Sequence, residues 1–273
     1  MAGTDHISDR SGLRLVVVDA SVRTARTAHS LGCHTFFVQR PGDPVQELVD
    51  DFSGYYTVDF PTEPADRLGD DRTRPLGDLA SESFTDFVEA ILRPLAPTAV
   101  VSLSAAGALP AAVANSLLGT AGTPVELVRR LMATTRAGAD ADSGAGRELT
   151  AYTFSVEGVH RWVGVMDPHA PPVRRAHVVP NACLTPLEYD AVGSALTEFL
   201  DDVGLRNGPA RVSVREEDRT VRITGAEPIV DDGEAELLRR LTGLDLTRWA
   251  LGRPLGLRQA DCTDLPRPPE AGS

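Results

Sequence analysis

Side chains that can bind an anion are concentrated in a short part of this acidic chain, between residues 157 and 177. They are His160, Arg161, Arg174, Arg175 and His177. An arginine that faces a carboxylate or phosphate can hold it through two parallel hydrogen bonds. We therefore predict substrate-binding roles for His160, Arg161, Arg174 and Arg175. The alternative is a solvated strand face whose charges pair with nearby Asp and Glu and contribute little.

A proton-transfer pair is also available in this part of the chain. Glu157 and His177 are an acid and a base of suitable types, and they would act together if the fold brings their side chains within hydrogen-bond reach. Both are predicted as catalytic residues on that condition. No CxxC motif or Cys/His spacing typical of zinc is present, so no metal site is predicted. Cys183, close to His177, is either a nucleophile or an inert thiol.

Composition excludes several classes of function. The chain has 273 residues and a net charge of −12, which argues against binding nucleic acid or anionic membranes. All its basic residues other than histidine are arginine, since the sequence contains no lysine. No apolar run approaches the length of a membrane span, and residues 1–12 lack the apolar region of a signal peptide. We expect a cytoplasmic protein.

The first half of the chain alternates strands and helices. Continuous apolar runs at Leu13–Val18, His34–Gln39 and Thr98–Leu103 are typical of strands buried on both faces. Helical patterns lie between and after them, which predicts a doubly wound parallel sheet. Ligands of such sheets bind beyond the carboxyl ends of the strands. Ser102 and Ser104 lie at that edge and are predicted to contact substrate, although each also fits a simple strand-to-helix turn.

The second half has a different order. An amphipathic segment at Leu187–Val203 is followed by alternating segments at Ala210–Arg215 and Thr220–Ala226. Two further helical segments, Glu234–Gly243 and Asp245–Gly252, close it. The sequence thus predicts an α+β unit with an antiparallel sheet.

Specific residues in this half resemble the ATP-grasp carboxylate–amine ligases. The family pattern Gly-Leu-x-Asn-Gly-Pro-Ala-His-x-Glu matches the segment from Gly204 to Ser213, which reads GLRNGPARVS. Pro228, Thr242-Gly243-Leu244-Asp245-Leu246 and Leu251-Gly252 follow in register. The resemblance implies a parallel N-terminal domain followed by an antiparallel ATP-grasp sheet, and ATP-dependent joining of an acid to an amine.

The same resemblance places the family's chemistry on residues that do not supply it. Its two acidic positions fall on Ser213 and Gly225, its Asn on Glu227 and its Arg on Ile229. Mg²⁺ requires near-octahedral oxygen ligands, which serine and glycine at these positions do not provide. Arg211 stands where the family has His. The resemblance suggests substrate-binding roles for Arg211 and Ser213 and a catalytic role for Glu227.

In the family, a small subdomain that clamps ATP lies in the middle of the chain. This sequence has only a short segment at the corresponding place. We predict a tail at 1–12, an α/β domain at 13–136, a linker at 137–147, an α+β domain at 148–256 and a tail at 257–273.

Three functions follow from these observations. The first is a degenerate ATP-grasp protein without ATP-dependent ligation, which acts as a non-ATP enzyme, a binding protein for an amino-acid-like molecule or a partner of a biosynthetic enzyme. No cofactor is expected for it. The second is an active ligase that uses ATP and Mg²⁺ at an unusual site formed by Glu157, Glu227 and Asp231. The third is a dimer module whose interface would include Leu127–Met132 and Trp249–Leu255.

Overall fold

The computed structural model describes residues 12–42, 45, 52–60, 82–140, 146–169, 176–178, 184–217 and 220–257. The two predicted tails, apart from their inner ends, lie outside these ranges, and so does Cys183. Within the described ranges no helix is both long and apolar enough to cross a membrane.

The first sheet has four parallel strands in the order β3-β2-β1-β4. The strands are β1 Arg14–Val18, β2 His34–Gln39, β3 Gly54–Thr57 and β4 Ala99–Val101. Strands β1, β2 and β4 coincide with the apolar runs of the sequence. Their side chains are buried on both faces of the sheet, as expected for parallel strands covered by helices.

Helices cover this sheet and follow its strands. They are α1 Val22–His29, α2 Glu82–Phe87, a π-helical turn Val88–Leu92, α3 Arg93–Leu95, α4 Ala105–Leu118 and α5 Val125–Asp140. Helix α4 begins where Ser104 accepts a hydrogen bond from the Gly107 amide, and it ends at Gly119 in the left-handed conformation. Helix α5 continues to Asp140, into the segment predicted as a linker, and the next strand begins at Arg147.

The second sheet is antiparallel, with five strands in the order β7-β6-β5-β8-β9. The strands are β5 Arg147–Val156, β6 Val159–Met166, β7 Ala176–Val178, β8 Gly208–Glu217 and β9 Thr220–Glu227. One face is covered by α6 Pro186–Val203, which begins with a capping box between Thr185 and Glu188. The remaining helices are α7 Asp232–Thr242, α8 Leu246–Gly252 and the 3-10 turn Arg253–Leu255. The mixed α/β architecture predicted from the sequence is confirmed.

One apolar core joins the two sheets. Leu15 and Val17 of β1 belong to the same buried cluster as Phe154 of β5 and Trp249 of α8. The rings of Phe154 and Trp249 meet edge to face with centroids 5.5 Å apart. The Val230 amide donates to the Leu103 carbonyl at 3.1 Å, which fixes the end of the second sheet against the end of β4.

The interface predicted for a dimer module is used inside the molecule. Leu127, Leu131, Trp249, Leu251 and Leu255 are at most 6% exposed. Because these side chains fill the cores between helices and sheets, the two segments do not present an apolar surface to a second copy.

Candidate substrate site

Arg211 is the centre of a charged network on one face of the antiparallel sheet. Its Nε donates to the Tyr152 hydroxyl at 3.1 Å and to Glu234 Oε2 at 3.3 Å, and its Nη1 donates to Glu227 Oε2 at 3.2 Å. Arg211 is the direct partner of Tyr152 on β5 and of Glu227 on β9, so the register places the three side chains on one face. Helix α7 adds Glu234.

The network places two carboxylates, those of Glu227 and Glu234, against the single positive charge of Arg211. Arg211, Glu227 and Glu234 have side chains 31%, 27% and 26% exposed, so all three are largely removed from water. Burial raises the pKa of Glu234, since removal from water disfavours its charged form. Glu227 and Glu234 therefore compete with any ligand carboxylate or phosphate for the Arg211 guanidinium.

A second arginine on this face is also engaged. Arg211, Ser213 and Arg215 alternate along β8 with Ala210, Val212 and Val214, which are buried in the core under α6. Arg215 Nη2 donates to Glu148 Oε1 at 2.5 Å. Hydrogen bonds from Arg215 and His169 hold the pKa of Glu148 below its usual range.

The two positions that the sequence resemblance assigns to metal-binding acids face each other and hold no acid. Ser213 on β8 pairs directly with Gly225 on β9. The pair offers one hydroxyl and no carboxylate, and the nearby Glu227 is bound to Arg211. These residues do not fit Mg²⁺ on ATP phosphates, which requires carboxylate oxygens free to ligate.

The alternative metal set, Glu157, Glu227 and Asp231, does not come together. The backbone of Glu157 is roughly 15 Å along β5 from Tyr152, the residue level with Glu227 across the sheet, at ~3.3 Å per residue. Glu157 is bound to Arg253 at 2.9 Å, and Asp231 caps α7 by accepting from the Glu234 amide at 3.0 Å. Within the described ranges no group of three His, Cys, Asp or Glu side chains is placed to hold a metal.

His160 is a structural residue and not an accessible donor. Its Nδ1 lies 2.7 Å from Ser155 Oγ and its Nε2 lies 3.2 Å from Asp201 Oδ1. The order of types is that of a nucleophilic triad, but Ser155 is fully buried and the imidazole side chain is only 4% exposed. The substrate-binding role predicted for His160 therefore does not fit: the ring fastens the β5–β6 hairpin to α6.

The predicted pair of Glu157 and His177 is separated by the length of the sheet. His177 is on β7, where it pairs with Val165, whereas Glu157 is at the opposite end of β6, in the turn that precedes it. Their backbones are about 20 Å apart by strand rise, so the condition for acid–base partnership is not met. Arg161 is half-buried on β6. The side chain of His177, and Arg174 and Arg175 altogether, lie outside the described residues.

The two serines predicted at the edge of the parallel sheet lie together. Ser102 Oγ is 3.3 Å from Ser104 Oγ, and Ser104 Oγ donates to Asp19 Oδ2 at 2.6 Å. Asp19 has a φ of 53° and also accepts two hydrogen bonds from Arg40. The sequence predicted the correct edge of the sheet for these residues, but their side chains hydrogen-bond to one another and to Asp19.

The structure also shows a cavity that sequence reasoning did not find. It has a volume of about 570 Å³ and lies between the outer edge of β4, helix α4 and the tip of the β5–β6 hairpin. Ser102 and Glu157 line it, and so do Asn207 and Arg253, neither of which was predicted. Asn207 was visible as part of the GLRNGPA motif, whereas no local signal marked Arg253, which follows an apolar helix.

Comparisons with known proteins reach this chain through structure alone. No protein-family model matches it, and no curated protein matches it in sequence. An L-amino acid ligase from Bacillus licheniformis superposes with a TM-score of 0.70 at 13% identity, over 94% of this chain and 78% of that chain. A phosphoribosylglycinamide synthetase from Anaerococcus prevotii has a TM-score of 0.65 at 13% identity, over 90% and 77%.

A biotin carboxylase domain is similar as well. The domain from the 2-oxoglutarate carboxylase of Hydrogenobacter thermophilus, solved with MgADP and bicarbonate, has a TM-score of 0.59 at 14% identity, over 90% of this chain and 70% of that chain. Ligases and carboxylases therefore share this arrangement of a parallel and an antiparallel sheet. The chain has the ATP-grasp fold.

Proposed function

We propose that this protein binds a small amino-acid-like molecule and does not carry out ATP-dependent ligation. The proposal depends on which side chains lie on one face of the antiparallel sheet. Ser213 is opposite Gly225 where acids would ligate magnesium, and Arg211 is held by Glu227 and Glu234. Stabilising a transferring phosphoryl group requires positive charge or metal that is free to meet it.

Two features of the chain support the proposal. The sequence has no lysine, and arginine does not replace a phosphate-binding lysine without a change in geometry. Helix α5 ends at Asp140 and β5 begins at Arg147, so the chain between them is too short for a folded subdomain. The ATP-grasp resemblance places the second wall of the nucleotide site there.

The role that fits these features is binding of a substrate, or catalysis without ATP, in the biosynthesis of amino-acid or peptide-type metabolites, alone or beside a partner enzyme. The alternative, an active ligase with an unusual metal site, requires Glu157, Glu227 and Asp231 to leave Arg253, Arg211 and the cap of α7. Three separate contacts would have to break to build it.

Calorimetric titration of the full chain with Mg·ATP, and with a non-hydrolysable ATP analogue, tests the proposal. We expect no saturable heat at millimolar nucleotide. A dissociation constant in the micromolar range would overturn the proposal and favour the alternative, an active ligase. An informative variant is Ser213→Glu combined with Gly225→Glu, which returns the two acids to their positions. A gain of magnesium binding in that variant alone would show that missing ligands cause the loss.

A further inference from the structure

The cavity beside β4 is separate from the Arg211 network. Its walls come from β4, from α4 and the loop after it, from the tip of the β5–β6 hairpin, from the start of β8 and from the 3-10 turn after α8. Arg211, Tyr152, Glu227 and Glu234 do not line it. Its volume of about 570 Å³ is within the range of pockets that enclose small molecules, roughly 300–1,000 Å³.

About half of the wall is apolar, and this part is built largely from small side chains. Helix α4 contributes Ala108, Ala111 and Ala112, and β4 contributes Val100 and Val101. Three prolines face the same space: Pro209, Pro228 and Pro254. Because the alanines of α4 end at Cβ, the helix leaves space that leucine or phenylalanine would fill. The interior suits the aliphatic or aromatic part of a ligand.

The floor is held rigidly by Asn115. Its Oδ1 accepts from the Val100 amide at 3.2 Å and from Thr120 Oγ1 at 2.7 Å, and its Nδ2 donates to the Val100 carbonyl at 2.7 Å. The side-chain amide thus stands in for a neighbouring strand along the edge of β4. A Cβ on Gly122 would lie 2.1 Å from Asn115 Nδ2, so the close approach of this loop requires glycine. The cavity is preformed.

The mouth carries one negative and one positive side chain. Glu157 Oε1 accepts from Arg253 Nη2 at 2.9 Å, and the two side chains are 77% and 32% exposed. An ion pair this exposed contributes only about 0–1 kcal/mol. Either partner can therefore exchange the other for a ligand charge at little cost.

The position of Glu157 is fixed by its backbone. Glu157 and Gly158 have φ of 55° and 86° and form the two-residue turn between β5 and β6. The Glu157 amide donates to Asn207 Oδ1 at 3.1 Å, and the Gly158 amide donates to the Arg206 carbonyl at 2.9 Å. Asn, Asp and Gly are the residues that favour such a turn, so the turn itself does not explain a glutamate. A charge at the cavity mouth does.

We propose that this cavity binds a zwitterionic molecule of dipeptide size with apolar side chains. The ligand's ammonium group binds the Glu157 carboxylate, its carboxylate binds the Arg253 guanidinium, and its apolar part occupies the space beside α4. The proposal rests on the proposed function, because it names the class of small molecule and the place where it binds. A single free amino acid would leave much of the cavity unfilled.

Titration of the full chain with L-leucyl-L-leucine, without nucleotide, tests the inference. We expect saturable binding of one molecule. The N-acetylated and the C-amidated dipeptides should each bind about tenfold or more weakly, since each lacks one charge-assisted hydrogen bond. Absence of saturable binding, or equal affinity for all three compounds, would overturn the inference.

Variants locate the site. Glu157→Gln should weaken binding of the dipeptide about tenfold but leave the affinity for N-acetyl-leucyl-leucine unchanged. Arg253→Met should likewise weaken binding of the dipeptide but leave the affinity for the C-amidated dipeptide unchanged. Ala111→Leu should abolish binding by filling the cavity. Glu89→Gln, which removes an exposed Glu–Arg pair elsewhere, and Ala105→Leu, at an exposed position of the same helix, are the controls. Unchanged affinity in the two charge variants would show that the site is elsewhere, whether or not Ala111→Leu folds.

The two titrations fail independently. Tight Mg·ATP binding would overturn the proposed function and leave the cavity result standing. Failure of the dipeptide to bind would overturn only the cavity assignment, because the sheet face is tested by nucleotide alone.

Discussion

Two places in this molecule pair arginine with glutamate, and they differ in what the arginine is free to do. Arg211 meets Glu227, Glu234 and the Tyr152 hydroxyl, and Tyr152 is almost completely buried. Arg253 meets Glu157, whose side chain is 77% exposed. The first arginine is held by three partners on neighbouring elements, whereas the second is open to water beside a cavity. An arginine near a possible binding site indicates ligand binding only when the side chains already bonded to it are taken into account.

The largest effect is expected from removing the centre of the Arg211 network. Arg211→Met leaves two half-buried carboxylates and a buried tyrosine hydroxyl without their common donor, so we expect a loss of about 2–3 kcal/mol in the free energy of unfolding. Urea denaturation at pH 7 measures it. The double variant Arg211→Met, Glu234→Gln should recover part of the loss. A change below about 0.5 kcal/mol in the single variant would mean that the network does not act as a unit.

The floor of the cavity should be nearly as sensitive as the network. Asn115→Ala removes the amide that pairs with both backbone groups of Val100, and these buried groups lose their partner. We expect a loss of about 2 kcal/mol by the same measurement. Asn115→Asp retains the acceptor and loses the donor, so it separates the two bonds. If Asn115→Ala were neutral, the cavity would not be preformed. The region around Arg253 would then differ from the Arg211 network in rigidity as well as in exposure.

The sequence predicted elements better than contacts. Strands β1, β2 and β4 and helix α6 were found because burial on both faces or on one stripe leaves a local pattern of apolar residues. The strand predicted at Ala210–Arg215 lies within β8, which begins two residues earlier, at Gly208. The low-complexity stretch AGADADSGAG, from Ala137 to Gly146, was predicted to be a flexible linker, whereas helix α5 continues into it as far as Asp140.

Side-chain roles depended on tertiary structure that no local pattern shows. His160 was predicted as a donor for substrate, yet its ring bonds Ser155 on the adjacent strand and Asp201 on α6, which is 41 residues away in sequence. Arg211 was predicted to contact substrate, but Glu234 reaches it only because α7 folds back over the sheet. Arg253 had no signal because its partner Glu157 is on a hairpin far along the chain. Such pairings arise only when separate elements meet.

Changes in pH should separate two glutamates of α7 by sign. Burial raises the pKa of Glu234, so its favourable contribution to folding is present below its ordinary pKa of 4.5 and is lost as pH rises through the higher folded value. Hydrogen bonds from Arg239, Arg23 and Arg240 lower the pKa of Glu236, so its contribution is present above 4.5 and is lost as pH falls.

Comparison of each glutamine variant with the parent protein, by urea denaturation between pH 3.5 and 8, measures both slopes. The Glu234→Gln variant should become relatively more stable than the parent as pH rises. The Glu236→Gln variant should become relatively more stable as pH falls. Slopes of the same sign would contradict the assignment of burial as the dominant effect at Glu234.

The smallest effect on stability is expected at the exposed Glu157–Arg253 pair. A variant there tests most directly how this pair differs from the Arg211 network. Glu157→Gly removes an exposed ion pair worth about 0–1 kcal/mol and relieves a left-handed conformation that costs an L-residue about 1–2 kcal/mol. The two nearly cancel, so the unfolding free energy should be unchanged or slightly higher, while dipeptide binding should fall about tenfold or more. Gly158→Ala, which adds a side chain at the neighbouring left-handed position, is the matched control and should reduce stability. A loss above about 1 kcal/mol in Glu157→Gly would mean that the pair holds the hairpin in place, as the Arg211 network holds the sheet, and that its exposure does not make it available to a ligand.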